Sequence, residues 1–224
     1  MPRIGVMLSG CGVQDGSEVY EAVLTILALE RAGATVVAMA PDVEQAEIIN
    51  HYRGDETRLE TRDVLAESAR IVRGKITSIS EISAHDIDGL IIVGGYGVVK
   101  NLCTYAVDGE NATVNPDVER LIQEINGLGK PIGAMCAGPL VVALALRDKH
   151  PALTIGTDGS TAAGLMRIGA HHVATEVSEI YIDETHNLVS TAAFLSAHTV
   201  SEAEPGITKL VNQVLEMVRA LGLK

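Results

Sequence analysis

Lys130 to Leu146, KPIGAMCAGPLVVALAL, runs from an apolar segment of strand length through Cys136 into an apolar segment of helix length. A residue at such a junction sits on a sharp turn that projects its side chain and often carries backbone strain. It also stands at a helix N-terminus, where unpaired N–H groups and the positive end of the dipole favour an anion. A thiol there is expected to have a lowered pKa and a larger thiolate fraction. Ala134, Ala137 and Gly138 are small and leave room for a substrate carbon. The alternative is that Cys136 is a small buried apolar residue, the usual role of a free cysteine. The local sequence leaves both open.

The elements that must position this thiol follow from periodicity. RIGVMLSG is a short apolar strand, SEVYEAVLTILALERAG a helix with Ser17 as N-cap and Gly33 just past its end, and TVVAMA a β-branched strand. Together they form a βαβ unit, whose right-handed crossover places both strands in one parallel sheet. Pro41 to Asp86 is more polar, with helical stretches expected at VEQAEIIN and TRDVLAESARIV, a solvated helix face at RGDETRLETRD, and an edge or hairpin strand at KITSIS. The main pattern resumes with the strand Leu90 to Val93, the turn Gly94-Gly95, and the helix PDVERLIQEINGLGK. A loop-and-strand run LTIGTDGS, a short helix TAAGLMRIG, a hairpin turning near Thr185 to Asn187, and a terminal helix with Pro205 early in it complete the chain. Alternating β and α elements predict a single α/β domain over residues 1–224. Its doubly wound, mostly parallel sheet carries helices on both faces. Ligands of such sheets bind beyond the carboxyl ends of the strands, so LSGCGVQDG, VGGYG and AMCAGP are expected to converge there.

Composition narrows the partners. With 47% hydrophobic residues in 224, the chain can bury a full core, and with only 3% aromatics that core is built from Val, Ile, Leu and Ala. A formal charge of −12, with Arg and Lys scattered rather than clustered, argues against binding nucleic acid or an anionic membrane, which would need a basic face. Three cysteines, Cys11, Cys103 and Cys136, are too few and too unevenly spaced for a disulfide framework. No run of about 20 apolar residues is present, and Met1-Pro2-Arg3 lacks the form of a secretory signal. A cytoplasmic location is the resulting expectation.

The strand, Cys136, AGP and helix resemble the nucleophile elbow of the superfamily joining class I glutamine amidotransferases, PfpI-type proteins and the Parkinsonism-associated deglycase. GVMLSGCGVQDGSEVYEAVL, APDVEQAEIIN, TRDVLAESARIVRG, VGGYGVVKNL and LTIGTD narrow the resemblance to its ElbB-like, glyoxalase-like members, over Ile4 to about Val218. The resemblance implies a flavodoxin-like fold and assigns Cys136 as nucleophile. Glu21 matches the acid on the first helix that touches the thiol, with Glu18 one turn earlier as its competitor. A carboxyl buried beside a thiolate stays protonated and can donate a hydrogen bond to it; the alternative for Glu21 is a solvated helix charge. Gly94 and Gly95 match the family's glycine turn, whose N–H groups, with that of Ala137, can face an oxyanion.

Departures from the superfamily are informative too. Many relatives carry His directly after the cysteine, where this chain has Ala137, and no HPE-like arrangement follows Cys136, so glutamine amidotransfer is not expected. His171, His172, His186 and His198 follow the nucleophile and are weak candidates to approach it. A metal at His171 or His172 lacks HxH or HxxxH spacing. Cys11 is read as packing in its glycine turn and Cys103 as structural. The resemblance implies a homodimer that needs no cofactor and no metal. It turns over a small 2-oxoaldehyde, glyoxal or methylglyoxal, to the 2-hydroxy acid through a Cys136 hemithioacetal. The alternatives are a non-catalytic redox sensor or interaction module using the same cysteine, and a deglycase.

Overall fold

The computed structural model describes residues 1–57 and 60–222. β1 (Arg3–Met7), α1 (Val19–Arg31) and β2 (Thr35–Ala40) form the βαβ unit, with β1 and β2 parallel from Arg3–Thr35 to Met7–Met39. A small hairpin follows, β3 (Ile49–Asn50) against β4 (Asp55–Glu56), then α2 (Val64–Ile71) and the edge strand β5 (Thr77–Ser78). β6 (Gly89–Ile92) returns to the sheet centre and leads through one π-helical turn, Val98–Leu102, to α3 (Tyr105–Asp108). Next come α4 (Pro116–Gly127), β7 (Ile132–Met135) and α5 (Gly138–Ala145). The chain closes with β8 (Ala152–Leu153), α6 (Gly159–Arg167), β9 (His171–His172), the hairpin β10 (Ile180–Asp183) to β11 (Leu188–Thr191), and α7 (Val200–Ala220).

Seven strands form one sheet in the order β10-β11-β7-β6-β1-β2-β5, parallel except for the β10–β11 pair. The doubly wound expectation therefore holds. Alternation along β7 shows why two helical layers are needed. A Cβ on Gly133 would meet Leu210 and Val214 of α7, whereas Ala134, one residue on, faces Gly138 of α5. β7 is buried at every position, as are β6 and all but the first residue of β1, so these central strands read as continuous apolar runs. The chain leaves β1 toward β2 and returns to β1's other side as β6, which makes the crevice between the ends of β1 and β6 the topological switch point.

Three local expectations fail for identifiable reasons. VEQAEIIN is not helical, because tertiary partners take the amides a helix would use. Gln45 N donates to Arg62 O, Ala46 N to Asn101 Oδ1 and Ile49 N to Asp15 Oδ2. RGDETRLETRD is not a helix face either. Asp55–Glu56 pair in the hairpin, Arg53 holds Asp55 in an exposed ion pair, and Arg58 and Leu59 lie outside the described residues. Finally, α1 is capped by Glu18 rather than Ser17, since the Glu18 carboxylate accepts the Glu21 N–H at 2.7 Å while Ser17 Oγ accepts from Ser9 N.

α2 does form as expected, with Asp63 accepting the Ala66 N–H at 2.8 Å. Asp63→Ala leaves that first-turn amide unpaired, so a loss of about 1 kcal/mol is expected. A thermal melt should show it as a decrease of about 2–4 °C.

Candidate active site

Cys136 follows β7 directly and takes φ +56°, the left-handed region, which costs an L-residue about 1–2 kcal/mol. The strain persists because both sides of the turn are fixed. The Cys136 N–H donates to Thr191 O of β11 at 3.1 Å, and Ala137 caps α5 with Pro139 in its first turn. The residue is only 7% exposed.

Glu21, in the first turn of α1, is fully buried. Its Oε2 accepts from Gly94 N at 2.9 Å, its Oε1 accepts from Phe194 N at 3.1 Å, and the carboxyl is hydrogen-bonded to the Cys136 thiol. The Phe194 amide is aimed by another strained residue, Ala193 at φ +43°. Burial pushes the Glu21 carboxyl up to about 8, with the Glu18 charge adding to it, against the pull of the Phe194 and Gly94 amides and the thiol. Glu21 therefore holds its proton at neutral pH. Of the two acids weighed from sequence, Glu21 meets the thiol and Glu18 holds the helix end.

The electrostatics of the thiol reverse the expectation from the helix N-terminus. Burial, followed by the Glu21 carboxylate, pushes Cys136 well above the ordinary thiol range, and the Gly95 and Ala137 amides only partly oppose this. Eight residues of α5 do not outweigh desolvation. At neutral pH the pair is thiol plus carboxylic acid, and the first proton leaves near pH 8. Alkylation of Cys136 by iodoacetamide is accordingly expected to be slow at pH 7. Glu21→Gln removes the repelling carboxylate and should move the rate-versus-pH curve to lower pH.

The glycine turn divides its work differently from the expected oxyanion arrangement. The Gly94 N–H is spent on Glu21, whereas the amides of Gly95 and Ala137 face the sulfur. The turn is locked to the loop after β1: Glu18 N donates to Gly94 O, Tyr96 N to Val13 O, and Gly97 N to Gly16 O. Gly95, at φ +105°, approaches so closely that a Cβ would lie 2.5 Å from Glu18 N. Two of the three strand ends read as convergent are thus joined by backbone hydrogen bonds at the switch point, and the third meets them through the Cys136 sulfur, which the Gly95 amide faces.

Beside this turn lies a cleft of about 650 Å³, lined mainly by Tyr96, Tyr105, Leu140 and Leu195 and reaching Ala137, with Lys100 and Gln14 at its polar side. The late histidines take other places. His186 bonds Asp183 at 2.8 Å in the β10–β11 turn, beside the start of β7 and so at the far end of the sheet from Cys136. His171 and His172 pair with β8, and the His198 N–H donates to Glu202. Among the described residues no hydrogen bond or ion pair joins any of the four to Cys136 or Glu21. Cys11 is half-buried, its thiol raised by burial and by Glu67. Cys103 is buried, donates to Val98 O, and is pushed up to about 11 by burial, as suits a packing role.

Sequence reasoning did not find Ala193 and Phe194. Positive φ at an alanine carries no compositional signal. Phe194 contributes through its amide, which any residue but proline supplies.

A mostly parallel sheet with the first strand at its switch point and a strained cysteine closing the neighbouring βα unit is the architecture of class I glutamine amidotransferase-like proteins. The solved isoprenoid biosynthesis protein with an amidotransferase-like domain from Ehrlichia chaffeensis superposes with a TM-score of 0.91 at 31% identity, over 97% of this chain and 100% of that one. A DJ-1 superfamily protein from Salmonella typhimurium shares the fold at 17% identity, TM-score 0.56, over 99% of this chain and 91% of its own. No protein-family model matches the chain. Its sequence is 40% identical to the ES1 protein homolog, mitochondrial, of Rattus norvegicus, over 96% of this chain and 84% of that protein. It is 41% identical to glutamine amidotransferase-like class 1 domain-containing protein 3, mitochondrial, of Homo sapiens, over 96% and 83%. The chain belongs to this ES1 family of glutamine amidotransferase-like class 1 domain proteins. The cytoplasmic expectation is overturned by the same comparisons, because the rat, human and zebrafish relatives are all mitochondrial proteins. Unpaired cysteines and the lack of a long apolar run do not distinguish the two compartments.

Proposed function

We propose that this is an ElbB-like protein whose Cys136–Glu21 pair converts 2-oxoaldehydes to 2-hydroxy acids. The observation that carries the reading is the buried Glu21 carboxyl, hydrogen-bonded to the thiol and pushed up to about 8, with no histidine bonded to the pair among the described residues. The amidotransferase-like isoprenoid biosynthesis protein at 31% identity supports the finer placement.

The steps balance without a redox partner. The Cys136 sulfur bonds to the aldehyde carbon and the thiol proton passes to the carbonyl oxygen, giving a hemithioacetal. The Glu21 carboxylate takes the C1 proton to leave an enediolate and returns it to C2, while the C1 hydroxyl proton passes to the C2 oxygen, giving the thioester of the 2-hydroxy acid. Water then cleaves the C–S bond, releasing the acid and restoring the thiol. Glu21 suits both halves of this transfer because a pKa near the working pH lets one group accept and donate. The Gly95 and Ala137 amides hold charge on the sulfur while the proton resides on the carboxyl.

Methylglyoxal consumption and lactate formation test the reading. Wild type should turn over with a rate that climbs through about pH 8, Cys136→Ser should lose activity, and Glu21→Gln should lose about 10²–10⁴-fold. Full activity in Cys136→Ser overturns the mechanism. Peroxide uptake at Cys136 without any aldehyde turnover replaces it with the redox-sensor reading.

A further inference from the structure

The cleft that reaches Ala137 is far larger than glyoxal or methylglyoxal needs. At about 650 Å³ it falls within the range that holds ligands of drug size, whereas those aldehydes have only a few heavy atoms. Its walls come from separate parts of the fold, among them Tyr96 after β6, Tyr105 and Ala106 on α3, Leu140 on α5, and Thr161 on α6. Two tyrosine rings and the aliphatic side chains of Leu140 and Leu195 make it chiefly apolar, with ring faces suited to offset or edge-on packing.

Its charge is also settled. Lys100 Nζ, the cation in the lining, donates to Glu47 Oε2 at 2.6 Å and to Gln14 O at 2.9 Å, and lies 5.9 Å from the centre of the Tyr96 ring. That ammonium is already paired, so the cleft supplies no free counter-ion for a carboxylate or phosphate. An anionic substrate would shed its hydration there for no charge-assisted bond. The cleft reaches Ala137, the residue next to the thiol, whose amide faces the Cys136 sulfur, so the cleft and the thiol meet at this one residue.

We infer that the cleft bounded by Tyr96, Tyr105, Leu140 and Leu195 is the substituent site for the thiol, and that the preferred substrates are uncharged 2-oxoaldehydes bearing an aryl or branched alkyl group rather than glyoxal itself. This rests on the glyoxalase reading for the reaction, and on the cleft alone for the ligand class.

Two measurements separate those supports. In the first, kcat/KM is compared for phenylglyoxal and glyoxal in wild type and in Ala106→Trp, where an exposed wall residue is enlarged into the cleft. Thr161→Trp fills it from α6 should the first variant not fold. Wild type is expected to prefer phenylglyoxal at least tenfold, and either tryptophan is expected to erase that preference. In the second, Cys136 is alkylated by phenacyl bromide or bromoacetone, and the rate is read by peptide mass so that Cys11 and Cys103 are scored apart. The aryl reagent should have the larger advantage in wild type over the variants. Selective alkylation without aldehyde turnover removes the glyoxalase reaction and keeps the cleft as the ligand site. A ratio near one in wild type, or one unmoved by either tryptophan, in both measurements overturns the inference.

Discussion

The thermal midpoint of wild type is expected to fall between pH 5 and pH 8 by more than that of Glu21→Gln. An unfolded glutamic acid ionises above its ordinary 4.5, while the folded chain keeps the Glu21 proton until about 8. The folded state therefore binds the extra proton throughout that window. Stability is full below the unfolded value, drains as pH rises, and is level again above the folded one. Each pH unit separating the folded from the unfolded ionisation is worth about 1.4 kcal/mol, so the wild-type loss should exceed that of the variant by several kcal/mol across the window. At about 2–4 °C per kcal/mol for a chain of this size, the difference is readily measured. Glutamine leaves some hydrogen bonding at Gly94 or Phe194 imperfect, but that cost is the same at both pH values and cancels from the comparison. Parallel curves would mean that Glu21 ionises in the folded protein as it does in the unfolded chain, and the acid assigned to the thiol would be lost.

Gly94→Ala is expected to destroy the site while leaving the fold. A Cβ at Gly94 would lie 2.5 Å from Glu21 Oε2 and 3.0 Å from Cys136 Sγ, and closer still to the Cys136 Cβ. Nothing in the backbone there needs glycine, so the penalty is overpacking alone, about 1–3 kcal/mol. The route to relief is separation of carboxyl from thiol, and turnover should drop by at least about a hundredfold, the lower end of what a positioned acid–base group contributes. Gly95→Ala makes the useful contrast. Its Cβ would clash first with the backbone at Gly16 O and Glu18 N, and φ +105° adds strain, so the larger loss of stability is expected here. Calorimetry should rank Gly95→Ala as the less stable of the two. A fully active Gly94→Ala would show that the Cys136–Glu21 contact is not needed.

Much of this arrangement was legible from residue patterns. β1, α1, β2, β6, β7 and α7 are long or strongly apolar, and their periodicities leave few alternatives. The segment between β2 and α2 was not legible, because Asn101, Asp15 and Arg62 supply bonds that no local pattern announces. At the site, the position of Cys136 followed from the strand-to-helix junction, yet the direction of its pKa did not. A helix N-terminus is visible in sequence, whereas full enclosure beside a carboxyl is a property of packing. The split between Gly94, which serves the acid, and Gly95, which serves the sulfur, needed coordinates, since adjacent amides of one turn point different ways.

The bond from Phe194 N to Glu21 Oε1 spans 173 positions of sequence, and the thiol that Glu21 meets belongs to a third region between them. Such long-range closure is slow and comes only once the intervening chain is in place. In a growing polypeptide the Glu21 carboxyl therefore gains this second amide only after residue 194 has been added. A chain cut short before residue 194 would keep its parallel strands' sequence but lack one anchor of its acid.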